Sequence, residues 1–291
     1  MSTCVPSASQ IGSARELYVA DVFEIAGDDA REDALFSFAA AHRITRLTIY
    51  GHRVLLLDTP DGAARLERFV RHARARGIRT LSATIGWDAE LDSLVDYMRA
   101  TPSASFDELV TELEYWHDCG LVPRADDGVI RPCFAPMRAM LDRLTQTRDA
   151  LVANGHPPIT LASYLGWPTR DEARAIASSV QRVLLHAEQP TPERAYAYAE
   201  LAGGTAPARL RDFAGHADVW PIFYARGEAD MSAWMATHDL ASIEHDWTAP
   251  LLRERDTWAC DVRIGGFTYF DYRSLAAAQQ RQLHLPPLHP Q

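Results

Sequence analysis

The chain has 291 residues; all 29 of its basic positions are arginine, and 39 acidic residues leave a formal net charge of −10. Without lysine there is no Schiff-base nucleophile and no Gly-Lys-Ser/Thr phosphate loop. The acidic balance argues against nucleic acid or an anionic membrane as partner, and no stretch approaches the ~18 uncharged apolar residues of a membrane span.

At 47% hydrophobic and 23% charged residues the composition is that of a globular protein. The opening Met-Ser-Thr-Cys-Val-Pro-Ser lacks the basic and apolar regions of an export signal. The expected location is therefore the cytoplasm, with Cys4, Cys119, Cys133 and Cys260 as reduced thiols. Cys119 and Cys133 flank an expected loop and are the pair placed to bond were the protein exported by another route.

Apolar, β-branched runs alternate with longer amphipathic stretches along the chain. Leu17–Phe23 reads as a strand and Asp28–His42 as a helix; Ile44–Tyr50 is the second strand, followed by a helix over Asp61–Arg76 with Gly77 as its C-cap. Ile78–Ile85, Leu109–Tyr115 and Ile159–Tyr164 follow as strands, with helices over Ala89–Ala100, Ala135–Ala153 and Asp171–Ser179. Val183–Ala187, Val219–Tyr224 and Phe267–Tyr272 complete the strands, with helical segments over Pro192–Leu201 and within Asp230–Arg255.

Eight strand–helix units in about 260 residues predict an α/β protein built as a single (β/α)8 TIM barrel. The barrel is expected over residues 15–280, between a polar leader (1–14) and a Pro-rich tail (281–291).

Function in such a barrel sits where strands end and loops begin. The predicted strand ends offer Glu24, His52, Trp87, Glu112, Glu114, Trp116, Tyr164, Trp167, His186, Glu188, Tyr224, Glu228 and Asp271, a set of acids and aromatics. On the fourth strand, period two puts Glu112 and Glu114 on one face with Val110, and Leu109, Thr111 and Leu113 on the other. A carboxylate facing the helix layer would be buried without partners, so both glutamates are expected to point into the barrel mouth. Two confined carboxylates raise one pKa, as a general acid requires; the competing expectation is a rim salt-bridge network with Arg226 or Arg273. Trp87, Trp116 and Trp167 follow three consecutive strands, and Tyr224 and Phe270 end the last two. Such rings suit sugar faces, or simply fill space between barrel and loops.

These residues resemble the chitinase-like glycoside hydrolases of family 18, which carry Asp-Gly-x-Asp-x-Asp-x-Glu on the fourth barrel strand. Phe106–Tyr115 lies on that pattern without a gap, with Asp107 at the first acidic position and Glu114 at the catalytic one. The stretch from Gly77 to Trp87 looks like the family's third strand, and Gly265-Gly266 through Asp271 like its eighth. Val110 replaces the middle Asp, Glu108 the Gly, and Glu112 the Asp that orients the substrate acetamido group; Phe270 stands for the eighth-strand Trp.

The resemblance implies a barrel that hydrolyses an N-acetylhexosamine-containing glycan or glycoside with retention and substrate assistance. Glu114 would be the general acid, Glu112 and Tyr224 its catalytic companions, and Glu228 an alternative nucleophile. Trp87, Trp116, Tyr164, Trp167, Glu188, Phe270 and Asp271 would bind substrate. No cofactor, metal, nucleic acid or membrane is expected. Two other readings stand beside this one. One is a divalent-metal barrel enzyme using His186, Glu188, Glu112, Glu114 and Asp271; the other is a glycan-binding or scaffold barrel without catalysis. The oligomeric state is not legible.

Overall fold

The β-branched runs form strands because each is too short for a buried helix and is flanked by turn-forming residues. In the computed structural model, which describes residues 4–119, 128–200, 210–226 and 231–283, eight parallel strands pair in chain order and close into a barrel. They are β1 (Ile11–Val19), β2 (Arg46–Ile49), β3 (Thr80–Ile85), β4 (Glu108–Thr111), β5 (Thr160–Leu165), β6 (Arg182–His186), β7 (Asp218–Tyr224) and β8 (Arg263–Phe270). Helices such as Gly62–Ala75, Asp88–Ala100, Ala135–Ala153 and Leu240–Arg253 connect them on the outside. The (β/α)8 expectation is met.

β1 starts at Ile11, within residues 1–14. The preceding residues are fixed to the barrel: the Gln10 amide donates 2.9 Å hydrogen bonds to the carbonyls of Ala259, Cys260 and Val262. Residues 284–291 of the expected tail lie outside the described residues, as does Glu228.

The four cysteines are not free thiols. Cys4 bonds Cys260 and Cys119 bonds Cys133, with Cα atoms 6.1 and 5.7 Å apart. The first bridge joins residues 256 positions apart, a proximity that only the closed barrel creates. The reducing environment expected of free thiols loses its ground.

Inside the barrel, the lower layer is ionic. Arg182 of β6 donates to Glu16 of β1 at 2.5 and 3.0 Å and through Nε to Glu108 of β4 at 3.1 Å. Thr48 and Thr268 donate to Glu16, and Ser82 to Glu108, at 2.7–3.0 Å. Arg46 reaches Glu108 at 3.2 Å. Both guanidiniums lie over the Trp220 ring, 4.7 and 5.0 Å from its centroid. Burying a charge costs several kcal/mol unless its hydrogen bonds are met, and here partners come from six strands. The arginines hold Glu16 well below the ordinary carboxylate range against the opposing effect of its burial. Gly265 and Gly266 make room for Trp220: a Cβ on Gly266 would sit 2.5 Å from its ring and 2.4 Å from the Ala14 carbonyl oxygen.

Replacing Arg182 by Met leaves Glu16 and Glu108 buried without their shared cation. Urea denaturation is expected to show a loss of about 3–5 kcal/mol; an unchanged midpoint would contradict the account of the layer. Alkylation of the denatured, unreduced protein is expected to label none of the four cysteines, and all four after reduction; labelling before reduction would contradict the pairing.

Candidate active site

Period two carries the inward face of β4 upward from Glu108 through Val110 to Glu112. The backbone N–H of Glu112 still bonds the Ile85 carbonyl at 2.9 Å, so its side chain keeps the inward direction one residue beyond the strand. There the alternation ends: the Tyr115 N–H bonds the Leu113 carbonyl at 2.9 Å, and Tyr115–His117 turns as a 3₁₀ helix. The two glutamates therefore separate in environment. Glu112 stands at the floor of a cavity of about 510 Å³ in the barrel mouth. Glu114 is at its rim, its side chain 45% exposed and bound to His117 Nε2 at 2.9 Å. The expectation that both point inward is corrected by that turn.

Among the described residues no cation is paired with Glu112. Arg226, one of the arginines expected to pair it, is engaged by Asp271, and Arg273, the other, by Glu24 and Asp21. Val110, fully buried, lies between Glu112 and the ionic layer. Burial pushes the Glu112 carboxyl up to about 8, Tyr18 opposes the shift, and Glu114 and Glu90 add to it. The carboxyl is therefore mainly protonated at neutral pH. The Tyr18 hydroxyl faces it from β1 without closing a hydrogen bond of ordinary geometry.

The rest of the floor is phenolic. Tyr224 donates to the Tyr164 hydroxyl at 3.1 Å, and the Phe270 ring lies 4.9 Å from Tyr224 and 5.3 Å from Tyr18. Burial raises the pKa of both Tyr164 and Tyr224, so both remain hydroxyl donors. Trp87, 47% exposed, and Tyr50 form the outer wall. Of the residues predicted from sequence, Glu112, Glu114, Tyr164, Tyr224, Trp87 and Phe270 line this one cavity.

Four expected substrate-binding residues do not. Trp116 is fully buried behind the wall, packed on Gly166, where a Cβ would meet its ring at 2.8 Å, and 5.7 Å from Tyr164. Trp167 packs on Trp116 and on His186, at 6.3 and 5.1 Å. Glu188 is exposed and accepts from His186 Nε2 at 2.8 Å; that bond outweighs burial and lowers its pKa. Asp271 is buried, held by Arg226, and accepts from the Ser274 N–H at 3.1 Å, so it begins the helix Tyr272–Leu283. For the metal reading, no cluster of three or more ligating side chains occurs among the described residues.

Several residues that line the cavity carry no sequence signal, and the fully buried Tyr18 stands behind them. Tyr18 shares the inward face of β1 with Glu16, a period-two signal hidden by the apolar run around it. Tyr50 and Arg53 follow β2, and Glu90 opens the helix Asp88–Ala100. Glu90 accepts from the Gly86 N–H at 2.7 Å and sits 3.9 Å from His52 Nε2. Burial holds the fully enclosed His52 down at about 4, so it is neutral.

No protein-family model and no curated protein matches the sequence. Among solved structures, the chain is similar to the xylanase and α-amylase inhibitor protein XAIP-II of Scadoxus multiflorus. The TM-score is 0.50 at 10% identity, covering 95% of this chain and 100% of the inhibitor. It is similar also to the chitinase ChiW of Paenibacillus sp. str. FPU-7, with TM-score 0.50 and 13% identity over 94% of this chain and 43% of that one. At these identities the likeness establishes the eight-stranded barrel fold alone.

The folded protein keeps the Glu112 proton to about pH 8, whereas a free glutamate releases it near 4.5. Unfolding therefore releases a proton between those values, and this residue's contribution to stability, complete below pH 4.5, is lost as pH rises to 8. Glu112→Gln is expected to raise Tm relative to wild type by an amount that grows from pH 5 to pH 8. A difference independent of pH would contradict the shifted ionisation.

Proposed function

We propose that the protein is a retaining glycosidase acting on an N-acetylhexosamine-containing glycan or glycoside, with Glu112 as the proton donor. The observation that carries the proposal is the Glu112 carboxyl set among Tyr164, Tyr224, Phe270 and Trp87 in one cavity, where burial raises its pKa. A general acid works best with a pKa near the operating pH. Apolar rings pack on sugar C–H faces while hydroxyl donors and carboxyls take the sugar's polar groups.

In this scheme Glu112 gives its proton to the glycosidic oxygen as the bond to the anomeric carbon breaks. The carbonyl oxygen of the substrate's acetamido group attacks that carbon, closing a cationic oxazoline ring. Water then opens the ring, and the Glu112 carboxylate takes back a proton from it. Tyr224 and Tyr164 orient the acetamido group, and Phe270 and Trp87 hold the sugar faces. The role assigned by resemblance to Glu114 passes to Glu112, because the rim glutamate is solvated and tied to His117. The paired cysteines favour an oxidising compartment over the cytoplasm.

A second reading, carbohydrate binding without turnover, is favoured by one feature. Val110 occupies the position beneath the acid where the resembling family has an Asp, so Glu112 has no inner carboxyl with which to share its proton.

Hydrolysis of N-acetylglucosamine oligomers, whose leaving alcohols need the proton, distinguishes the two. Glu112→Gln is expected to lower kcat by about 10²-fold or more, and kcat/KM of the wild type to fall above about pH 8 as Glu112 ionises. Wild-type turnover by the Gln variant would remove Glu112 as the acid; binding of oligomers without product would favour the second reading.

A further inference from the structure

We propose that the substrate carries a negative charge, a carboxylate or a sulfate on the N-acetylhexosamine, and that Arg53 is the residue that reads it. The inference rests on the glycosidase reading of the same cavity and narrows its substrate class.

Arg53 follows β2, near the start of the helical turn His52–Asp58, and lines the wall of the cavity that Glu112 floors. Its guanidinium lies over the Trp87 ring, 5.0 Å from the centroid. Other arginines around the barrel mouth are engaged. Arg226 holds Asp271, Arg273 holds Glu24 and Asp21, and Arg131 holds Glu172 at 2.7 Å. Arg53 has no carboxylate at ion-pair distance and no hydrogen-bond acceptor among the described residues.

A guanidinium carries five N–H donors and keeps its charge throughout the accessible pH range. Stacking on an indole face fixes its plane and leaves the edge donors open. An edge of parallel N–H groups is matched by the two oxygens of a carboxylate or sulfate, which it binds in bidentate fashion. The cavity's own acids do not serve this purpose. Glu114 is bound to His117 and Asp21 faces Arg273, while Glu90 accepts from the Gly86 N–H and interacts with Arg53 only from beyond ion-pair distance. Although the chain as a whole is strongly acidic, the unengaged cation at this wall is positive and points to an anionic group on whatever enters.

The test is calorimetric titration of wild-type protein with three free sugars that contain no glycosidic bond. They are N-acetylglucosamine, N-acetylmuramic acid and N-acetylglucosamine 6-sulfate. At least one of the two anionic sugars is expected to bind about tenfold or more tightly than the neutral one, a difference of about 1.4 kcal/mol. Whichever anion wins identifies the group. Arg53→Met is expected to collapse the ratio of anionic to neutral affinity towards one, Arg53→Lys to keep part of it, and added salt to shrink it. Equal affinity for all three sugars would overturn the inference. So would a preference that survives in Arg53→Met, which would leave Arg53 as packing for Trp87. Absence of binding by any sugar would remove the glycosidase reading together with the inference. Arg53-dependent anion binding without hydrolysis of any glycoside would remove the catalytic reading and leave the inference standing.

Discussion

The structure depends on how a protein with one kind of strong cation shares it out inside the barrel. Arg182 lies between Glu16 and Glu108, and Arg46 completes the lower layer. Both guanidiniums lie on Trp220, whose space depends on two glycines of β8. The layer answers the desolvation of two carboxylates at once, and so holds the strands in register from the inside. It also places both of these inner cations below Val110. Glu112, one period higher, stands at the same wall with no cation paired to it among the described residues. The same residue type is thus an ionised structural anion at the bottom of the barrel and a protonated acid at its mouth.

That division explains the chemistry at the mouth. A carboxyl beside an arginine would be a fixed anion with little to donate. Glu112, partly buried and facing Tyr18, Tyr164 and Tyr224, has its pKa raised to about 8 and keeps a transferable proton at neutral pH. The absence of lysine reinforces the restriction. Arginine does not release its proton under working conditions, so proton transfer in this cavity falls to carboxyls and phenols, and binding of charge falls to Arg53.

Much of this was legible in the sequence. The strand count followed from apolar runs of five to eight residues separated by amphipathic stretches, and it closed the barrel. The gathering of Glu112, Tyr164, Tyr224, Trp87 and Phe270 at strand ends followed from the barrel rule alone. What failed did so for local reasons. Extending period two past Thr111 put Glu114 inside, whereas the tight turn at Leu113–Tyr115 lifts it to the rim. Trp116 and Asp271 are the right residue types at the right strand ends. One is spent filling the space above Gly166, and the other starting a helix. The Cys4–Cys260 bond was invisible because it joins the two ends of the chain, which only barrel closure brings together. Tyr18 lies in an apolar run and Arg53 at the start of the helix His52–Asp58, with no pattern to mark either.

The central claim is that Glu112 remains a protonated acid across the neutral range because burial without a cation outweighs every opposing contact. It is tested most directly by NMR titration of side-chain carboxyl carbons in 13C-labelled protein, with Glu112→Gln assigning the resonance. The account predicts a midpoint for Glu112 near pH 8, well apart from the exposed carboxyls. A midpoint near the ordinary glutamate value of 4.5 would contradict it.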